Sequence, residues 1–305
     1  MRIDVHAHLW SEEYLDLLAN AGNGDTAVQR IPAAYSTDEA IGERLRLMDS
    51  VGVDTQVLSV TPLSPPSVSL ARWSNDHYAE VVQRYPDRFA AFAALPLPDI
   101  DAALTELGRA MDDLGMVGAA ITSDIQGVSA ADPRFDPLCA ELDRRAGTLF
   151  LHPSGSGIGS PLIKDGGLNW LIGAPIEDTV VATELIRYAV PVRYPNMKII
   201  VAHLGGALPM LLRRLDNQAA FDNAEPPSAI ARRIWFDTVG HNYPPALRAA
   251  VDAYGADRLV LGSDFPYLDG DEYRGAVNHI NESGLADGAA ELILDHTAKI
   301  IFDRS

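Results

Sequence analysis

Short apolar runs alternate with longer segments of helical periodicity from one end of the chain to the other. Eight runs rich in Val, Ile, Leu, Ala and Phe, at residues 2–8, 55–60, 89–95, 117–122, 149–152, 199–203, 234–237 and 259–264, are predicted strands. Between them lie predicted helices. Residues 38–51 place Ile41, Leu45 and Met48 at steps of three and four, and residues 100–114 do the same with Leu104, Leu107, Met111 and Leu114. Each helix thus has an apolar face for one flank of a buried sheet. This alternation favours parallel β/α units, and eight of them match a single (β/α)8 TIM barrel, an α/β fold of about 250 residues, with the surplus in loops. A doubly wound open sheet is the alternative.

Two segments exceed an ordinary βα loop: residues 9–37 after strand 1 and residues 153–178 after strand 5. The second holds Gly155, Gly157, Gly159, Gly166, Gly167 and Gly173, so it can follow irregular paths or move as a lid or substrate loop must. No repeat, low-complexity tract or linker interrupts the chain, and residues 1–305 read as one domain.

Composition removes several function classes. The 305 residues are 47% hydrophobic and 22% charged, an ordinary globular balance that excludes fibrous and disordered readings. With 24 Lys and Arg against 42 Asp and Glu, the formal charge of −18 repels nucleic acid and anionic membrane alike. No stretch approaches the roughly 18 apolar residues of a spanning helix. Cys139 is the single cysteine and cannot form an internal disulfide, and the chain opens Met1-Arg2-Ile3-Asp4-Val5-His6 rather than with a basic segment and an apolar run. A cytoplasmic location is expected.

Candidate chemistry gathers at strand ends. Residues two apart on a strand point to the same side, so His6 and His8 of His6-Ala7-His8 project toward a shared point. His152 closes strand 5 after Leu149-Phe150-Leu151, His203 closes strand 6 after Ile199-Ile200-Val201-Ala202, and Asp264 closes strand 8 after Leu261-Gly262-Ser263. Barrel active sites sit at this rim. Any one of these histidines reads equally well as a hydrogen-bonded core residue. Five ionisable groups together are costly to desolvate without a cation, and imidazoles with one carboxylate suit Zn²⁺ or a similar divalent ion.

These residues carry a resemblance. The segments Ile3-Asp4-Val5-His6-Ala7-His8, His152-Pro153, Ala202-His203-Leu204-Gly205-Gly206-Ala207-Leu208-Pro209 and Leu261-Gly262-Ser263-Asp264-Phe265-Pro266 resemble the amidohydrolase superfamily. Within it they are similar to the 2-amino-3-carboxymuconate-6-semialdehyde decarboxylase-like branch, whose members include hydroxybenzoate, carboxyvanillate and methylsalicylate decarboxylases. The likeness extends to Met48-Asp49-Ser50-Val51-Gly52-Val53, Tyr85-Pro86-Asp87-Arg88-Phe89 and Tyr194-Pro195-Asn196-Met197-Lys198, and covers nearly the whole chain in the same order.

The resemblance implies one divalent metal, Zn²⁺ first and Mn²⁺ second, on His6, His8, His152 and Asp264, with His203 off the metal as acid/base or substrate contact. Binuclear members place a carboxylated lysine at the end of strand 4, where this chain reads Ala119-Ala120-Ile121-Thr122-Ser123. Trp170 matches a family aromatic beside the substrate, and an indole face suits a planar ring. Arg214 matches an arginine that reaches a neighbouring subunit's site to meet a carboxylate; the plain alternative is a helix-surface ion pair with Asp216 or Asp222. A homodimer or higher oligomer is therefore expected. Arg30 is no convincing match for a further family arginine in the first loop.

Trp10, Phe265, Tyr267 and His241 stand near the rim as pocket residues, with packing roles as alternatives. His77 and His279 are expected to face solvent, His296 to cap the last helix, and Glu177 and Asp178 to fix the loop after Trp170. The resulting expectation is a carboxy-lyase, a non-oxidative decarboxylase of a phenolic or unsaturated acid. The metal would chelate the substrate, while Asp264, or metal-bound water with His203, would supply the proton. A hydrolase or hydratase with the same constellation is the first alternative, and a metal-binding protein without turnover the second.

Overall fold

The protein is described by a computed structural model covering residues 1–22 and 26–302. Eight parallel strands carry the architecture: β1 (Ile3–His8), β2 (Thr55–Ser59), β3 (Phe89–Ala91), β4 (Gly118–Thr122), β5 (Thr148–His152), β6 (Lys198–Val201), β7 (Trp235–Asp237) and β8 (Leu259–Val260). They pair in chain order, as β1-β2-β3 and as β4-β5-β6-β7-β8. A doubly wound sheet would reverse its order at a switch point, and none occurs among the described residues. The two sheets meet at both ends. Ala93 N donates to Gly118 O at 2.8 Å beside β3, while Val5 N donates to Leu261 O at 2.9 Å and Asp264 N to His6 O at 2.8 Å beside β1.

Two apolar layers hold the strands. Val57, Phe92, Ala120, Phe150, Ile200 and Val260 form one cluster, whereas strand neighbours such as Leu58, Leu149, Leu151, Ile199 and Phe236 pack with helices in the other. This period-2 division is why nearly every strand residue is buried. In β1 the register against β2 shifts between Asp4 and Ala7, so Val5 joins the inner cluster and the adjacent His6 also turns inward. A bulge at a sheet end re-aims side chains in this way.

The helices include α1 (Glu12–Asn20), α2 (Asp38–Ser50), α3 (Val68–Arg84), α4 (Ile100–Asp112), α5 (Asp136–Arg144), α6 (Ala174–Arg187), α7 (Leu208–Gln218), α8 (Pro244–Tyr254) and α9 (Gly270–Glu282). Thr37, Ser67 and Asp99 cap α2, α3 and α4, each side chain accepting from a backbone N–H in the first turn. Both helices predicted from periodicity are present. The face of α4 departs in one respect: Glu106 is buried, because Asn75, Arg72 and Arg109 all donate to its carboxylate.

Other expectations shift. The first long loop contains α1, and its residues 23–25 lie outside the described residues. The second ends at Gly173, so Asp178 belongs to α6. Predicted strands 6 and 8 stop short of His203 and Asp264, because His203, Leu204 and Asp264 adopt φ of +50°, +58° and +60°, which ends an extended run. His279 is buried with Nδ1 on Gly275 O, and His77 is half-buried against Trp73, so neither faces solvent freely. Cys139 is buried on α5.

The β1–β8 seam rests on Asp4. Its buried carboxylate accepts from His6 N, Ser263 N, Ser263 Oγ and Gln56 Nε2 at 3.2, 3.0, 2.6 and 2.9 Å. Asp4→Ala strands these donors, each unsatisfied group costing about 1–3 kcal/mol. We expect a loss of at least ~3 kcal/mol in chemical denaturation; an unchanged midpoint would remove Asp4 from this role.

Candidate metal centre and active site

At the C-terminal ends of the strands, His6, His8, His152 and Asp264 each offer one donor atom, all within 4.8 Å of one another and all buried. Each imidazole is aimed by its other nitrogen. His6 Nδ1 donates to Asp237 Oδ2 at 2.7 Å, His8 Nδ1 meets Ser59 Oγ at 3.2 Å, and His152 Nδ1 donates to the Pro153 carbonyl at 2.8 Å. The Nε2 atoms therefore face one point, with His6 and His8 Nε2 3.2 Å apart and each 3.1 Å from Asp264 Oδ1. His152 Nε2 is buried with no hydrogen-bond partner.

These observations test whether a cation fits. A lone pair held on a buried, unpartnered Nε2 is a waiting ligand, and second-layer acceptors on Nδ1 are what metal-binding histidines use. Ligands about 2.0–2.2 Å from one ion lie roughly 3–4 Å apart, as the His6, His8 and Asp264 donors do. Burial drives His8 down to about 4, and burial with the neighbouring histidines holds His152 well below its usual range. Both rings are neutral at pH 7, the form that binds metal. Burial opposes charge on Asp264 too, but His6, His203 and His8 outweigh it, leaving a carboxylate. The residues fit one divalent ion.

His203 sits apart from this set. Its Nδ1 donates to Asp178 Oδ2 at 2.9 Å, and its Nε2 lies 3.7 Å from Asp264 Oδ2. Burial works against protonation of the ring, yet Asp178 and Asp264 overcome it and raise its pKa well above the ordinary value. Similar rings are thus pushed in opposite directions, His8 and His152 toward the neutral form, and His203 and, against burial, His6 beside Asp237 and Asp264 toward the protonated form. The backbone around His203 is constrained. His203 N donates to Asp237 Oδ1 at 2.9 Å, and a Cβ at Gly206 would lie 1.9 Å from Pro175 O, so glycine there lets the turn pass against α6.

A cavity of about 630 Å³ opens from His152, His203 and Asp264 between Trp170, Leu171, Leu204, Val239, His241 and Tyr267. Trp170 and His241 therefore stand where a pocket role requires. Phe265 does not: its ring is buried under the Arg44 guanidinium at 4.4 Å and edge-on to Tyr273. Trp10 is buried as well. It stacks on His8 with centroids 5.2 Å apart and donates from Nε1 to Val60 O, so it backs a donor residue instead of lining the mouth. Arg214 is exposed on α7 and makes no ion pair within the described residues, including with Asp216 or Asp222. Arg30 pairs with Asp16, and His296 with Glu291.

Sequence reading missed Asp237 and Ser59, and it gave Asp178 the role of fixing the loop after Trp170 instead of a contact with His203. Asp237 closes an apolar strand as His152 does, and the same signal identifies it. Asp178 and Ser59 carry no such signal, because a mid-sequence Asp on a helix and a strand Ser are common. Glu177 accepts from Ser123 Oγ, Ser154 N, Ser154 Oγ and Gly157 N, and so fixes the start of the loop that follows His152.

Known proteins resemble this chain in sequence and fold. Gamma-resorcylate decarboxylase of Rhizobium radiobacter is 33% identical over 254 residues, 73% of this chain and 76% of that protein. The 2-amino-3-carboxymuconate-6-semialdehyde decarboxylase of Dictyostelium discoideum is 29% identical over 296 residues, 88% of this chain and 82% of that protein. A dihydroxybenzoic acid decarboxylase from a Polaromonas species, solved with manganese and the inhibitor 2-nitroresorcinol, superposes with a TM-score of 0.82 at 25% identity over 99% of this chain and 96% of that one. The amidohydrolase family profile matches residues 3–304, and the chain belongs to that family.

Proposed function

We propose that the protein is a metal-dependent, non-oxidative decarboxylase of a phenolic or enolic carboxylic acid. One observation carries this reading: three imidazoles and a carboxylate converge on one point at the cavity floor, with His203, hydrogen-bonded to Asp178, beside them. The decarboxylases that the chain resembles in sequence favour it over the hydrolase alternative. In this reading residues 1–305 form one domain, the two sheets and their seams make a closed (β/α)8 barrel, and the location is cytoplasmic. No helix among the described residues is long and apolar enough to cross a membrane.

His6, His8, His152 and Asp264 would hold one divalent ion, Zn²⁺ or Mn²⁺, which when bound supplies a Lewis acid and template for the substrate's carboxylate and adjacent oxygen. Trp170 supports the ring plane. His203, oriented by Asp178, passes its proton directly or through Asp264 to the carbon bearing the carboxylate. The C–C bond to the carboxylate then breaks, its electron pair returns to the ring, and CO2 leaves. The product carries one hydrogen where the substrate carried CO2⁻, with no oxidant and no water consumed.

The second part of the proposal is a homodimer in which Arg214 enters the partner's site. Arg214 and Met210 share one face of α7, and Met210, Trp170, Leu171 and Leu162 are 77%, 43%, 76% and 86% exposed. These exposed apolar side chains support a reading in which a second copy covers them.

Elemental analysis should find one metal per chain, lost in His152→Ala; two tightly held ions would overturn the mononuclear assignment. His203→Asn should keep both fold and metal yet lose about 10²- to 10⁴-fold in turnover. Metal loss equal to that of His152→Ala would show His203 to be a ligand. Mixing Arg214→Ala with His203→Asn chains should restore part of the activity in mixed dimers. Failure to recover despite proven subunit exchange would dismiss the crossing arginine.

A further inference from the structure

The turn that follows β7 holds two residues in an uncommon backbone region. Gly240 O accepts from Tyr243 N at 3.1 Å, and between them His241 and Asn242 adopt φ of +48° and +56°. Turns with both central residues in the left-handed region are dominated by Gly, Asn and Asp, so Asn242 follows the rule and His241 departs from it. Such conformations persist where surrounding contacts over-determine them. Here the contact is a pin. Asn242 Nδ2 donates to the Glu272 carbonyl of α9 at 3.0 Å, and a Cβ at Gly275 would lie 2.4 Å from that Nδ2. Gly275, inside a helix where glycine is destabilising, leaves the room that the pin needs.

What the turn presents is an imidazole at the cavity wall. His241 lines the same space as His152, His203 and Asp264, and it is exposed there. Each of the other imidazoles at the site is held through Nδ1: His6 by Asp237, His8 by Ser59, His152 by the Pro153 carbonyl and His203 by Asp178. His241 makes no hydrogen bond from either nitrogen among the described residues. The wall around the space is largely apolar, with Leu171, Leu204, Val239 and Ala246, and the Tyr267 hydroxyl already accepts from Gln29 Nε2 at 2.9 Å. An unpartnered imidazole in that setting is left for a ligand to engage.

We infer that His241 is a specificity-determining residue: its ring hydrogen-bonds an oxygen substituent of the substrate remote from the carboxylate that leaves, and Asn242 is the positioning residue that fixes it there. This rests on the decarboxylase reading above for which end of the substrate meets the floor. A neutral imidazole carries one N–H and one lone pair, and so serves a hydroxyl or a carbonyl oxygen alike. A second carboxylate, where a substrate has one, falls to the partner's Arg214 in the dimer proposed above. The physical gain is discrimination. An oxygen placed against an apolar wall without a partner is costly, so the group that meets it decides between substrates differing by one oxygen.

The test compares metal-loaded wild type, His241→Phe and Asn242→Ala on salicylate and on 2,3-, 2,4-, 2,5- and 2,6-dihydroxybenzoate, following CO2 release and, in parallel, binding by calorimetry. The quantity read is the ratio of each dihydroxy acid to salicylate within one protein, which a general loss of folded or metal-loaded enzyme leaves alone. In the wild type the best of these ratios in kcat/KM should exceed unity by about two- to tenfold, the worth of one hydrogen bond. His241→Phe keeps a ring, removes both nitrogens and should bring that ratio to about one. Asn242→Ala should lower it too. Both losses should fall on KM more than on kcat, because a remote contact is equally strong in ground and transition states. Wild-type ratios no greater than one, or a preference that survives His241→Phe, overturn the role of His241 while leaving decarboxylation in place. A preference lost in His241→Phe but kept in Asn242→Ala overturns the role of Asn242. If no acid releases CO2, the decarboxylase reading falls and the binding ratios still decide: tighter binding of a dihydroxy acid that His241→Phe abolishes sustains the contact, and binding indifferent to His241→Phe refutes it.

Discussion

Three imidazoles and a carboxylate buried within a few ångströms of each other constrain everything around them. Their ionised forms are expensive in a region with little water, and their lone pairs cannot all satisfy one another. His152 Nε2 makes the point most directly, being buried, aimed at the cluster and without a partner. A divalent cation would resolve the conflict by taking all four donors at once. The strand ends, the seam and the turns then serve to deliver those donors to one place.

A second layer of carboxylates does much of the delivery. Asp237 joins His6 Nδ1 to the backbone N–H groups of His203 and Val239, linking a donor residue to the turn that carries His203. Asp4 fastens β1 to the segment after β8, so that His6, His8 and Asp264 arrive from two ends of the chain in a fixed relation. The positive φ angles of His203, Leu204 and Asp264 are the backbone counterpart of this arrangement. Such conformations persist where surrounding contacts over-determine them, and here those contacts are buried hydrogen bonds to carboxylates.

Charge is distributed with the same logic. The protein is strongly acidic, yet the cavity above the donor cluster is apolar, and acidic groups near it are tied to histidines or backbone N–H groups. Among the described residues of this chain, the charged groups that line this space stand at its floor. Orientation of the leaving carboxylate therefore follows from where charge is absent as much as from where it is present.

The sequence by itself determined the α/β pattern, because burial of both strand faces writes long apolar runs and amphipathic helices write a 3.6-residue period. It also marked His6, His8, His152, His203 and Asp264, since a polar residue closing an apolar run is visible without coordinates. Asp237 followed the same rule and was equally legible. Tertiary structure alone decided the remainder. Asp178 and His203 are 25 residues apart and meet only because α6 packs beside the turn after β6. Phe265 and Trp10, adjacent in sequence to donor residues, turn into the core, one under Arg44 and the other behind His8. A strand pattern gives the side on which a residue leaves the sheet, but a bulge or a left-handed turn resets that side, and such features arise from contacts between distant segments, which no local window contains.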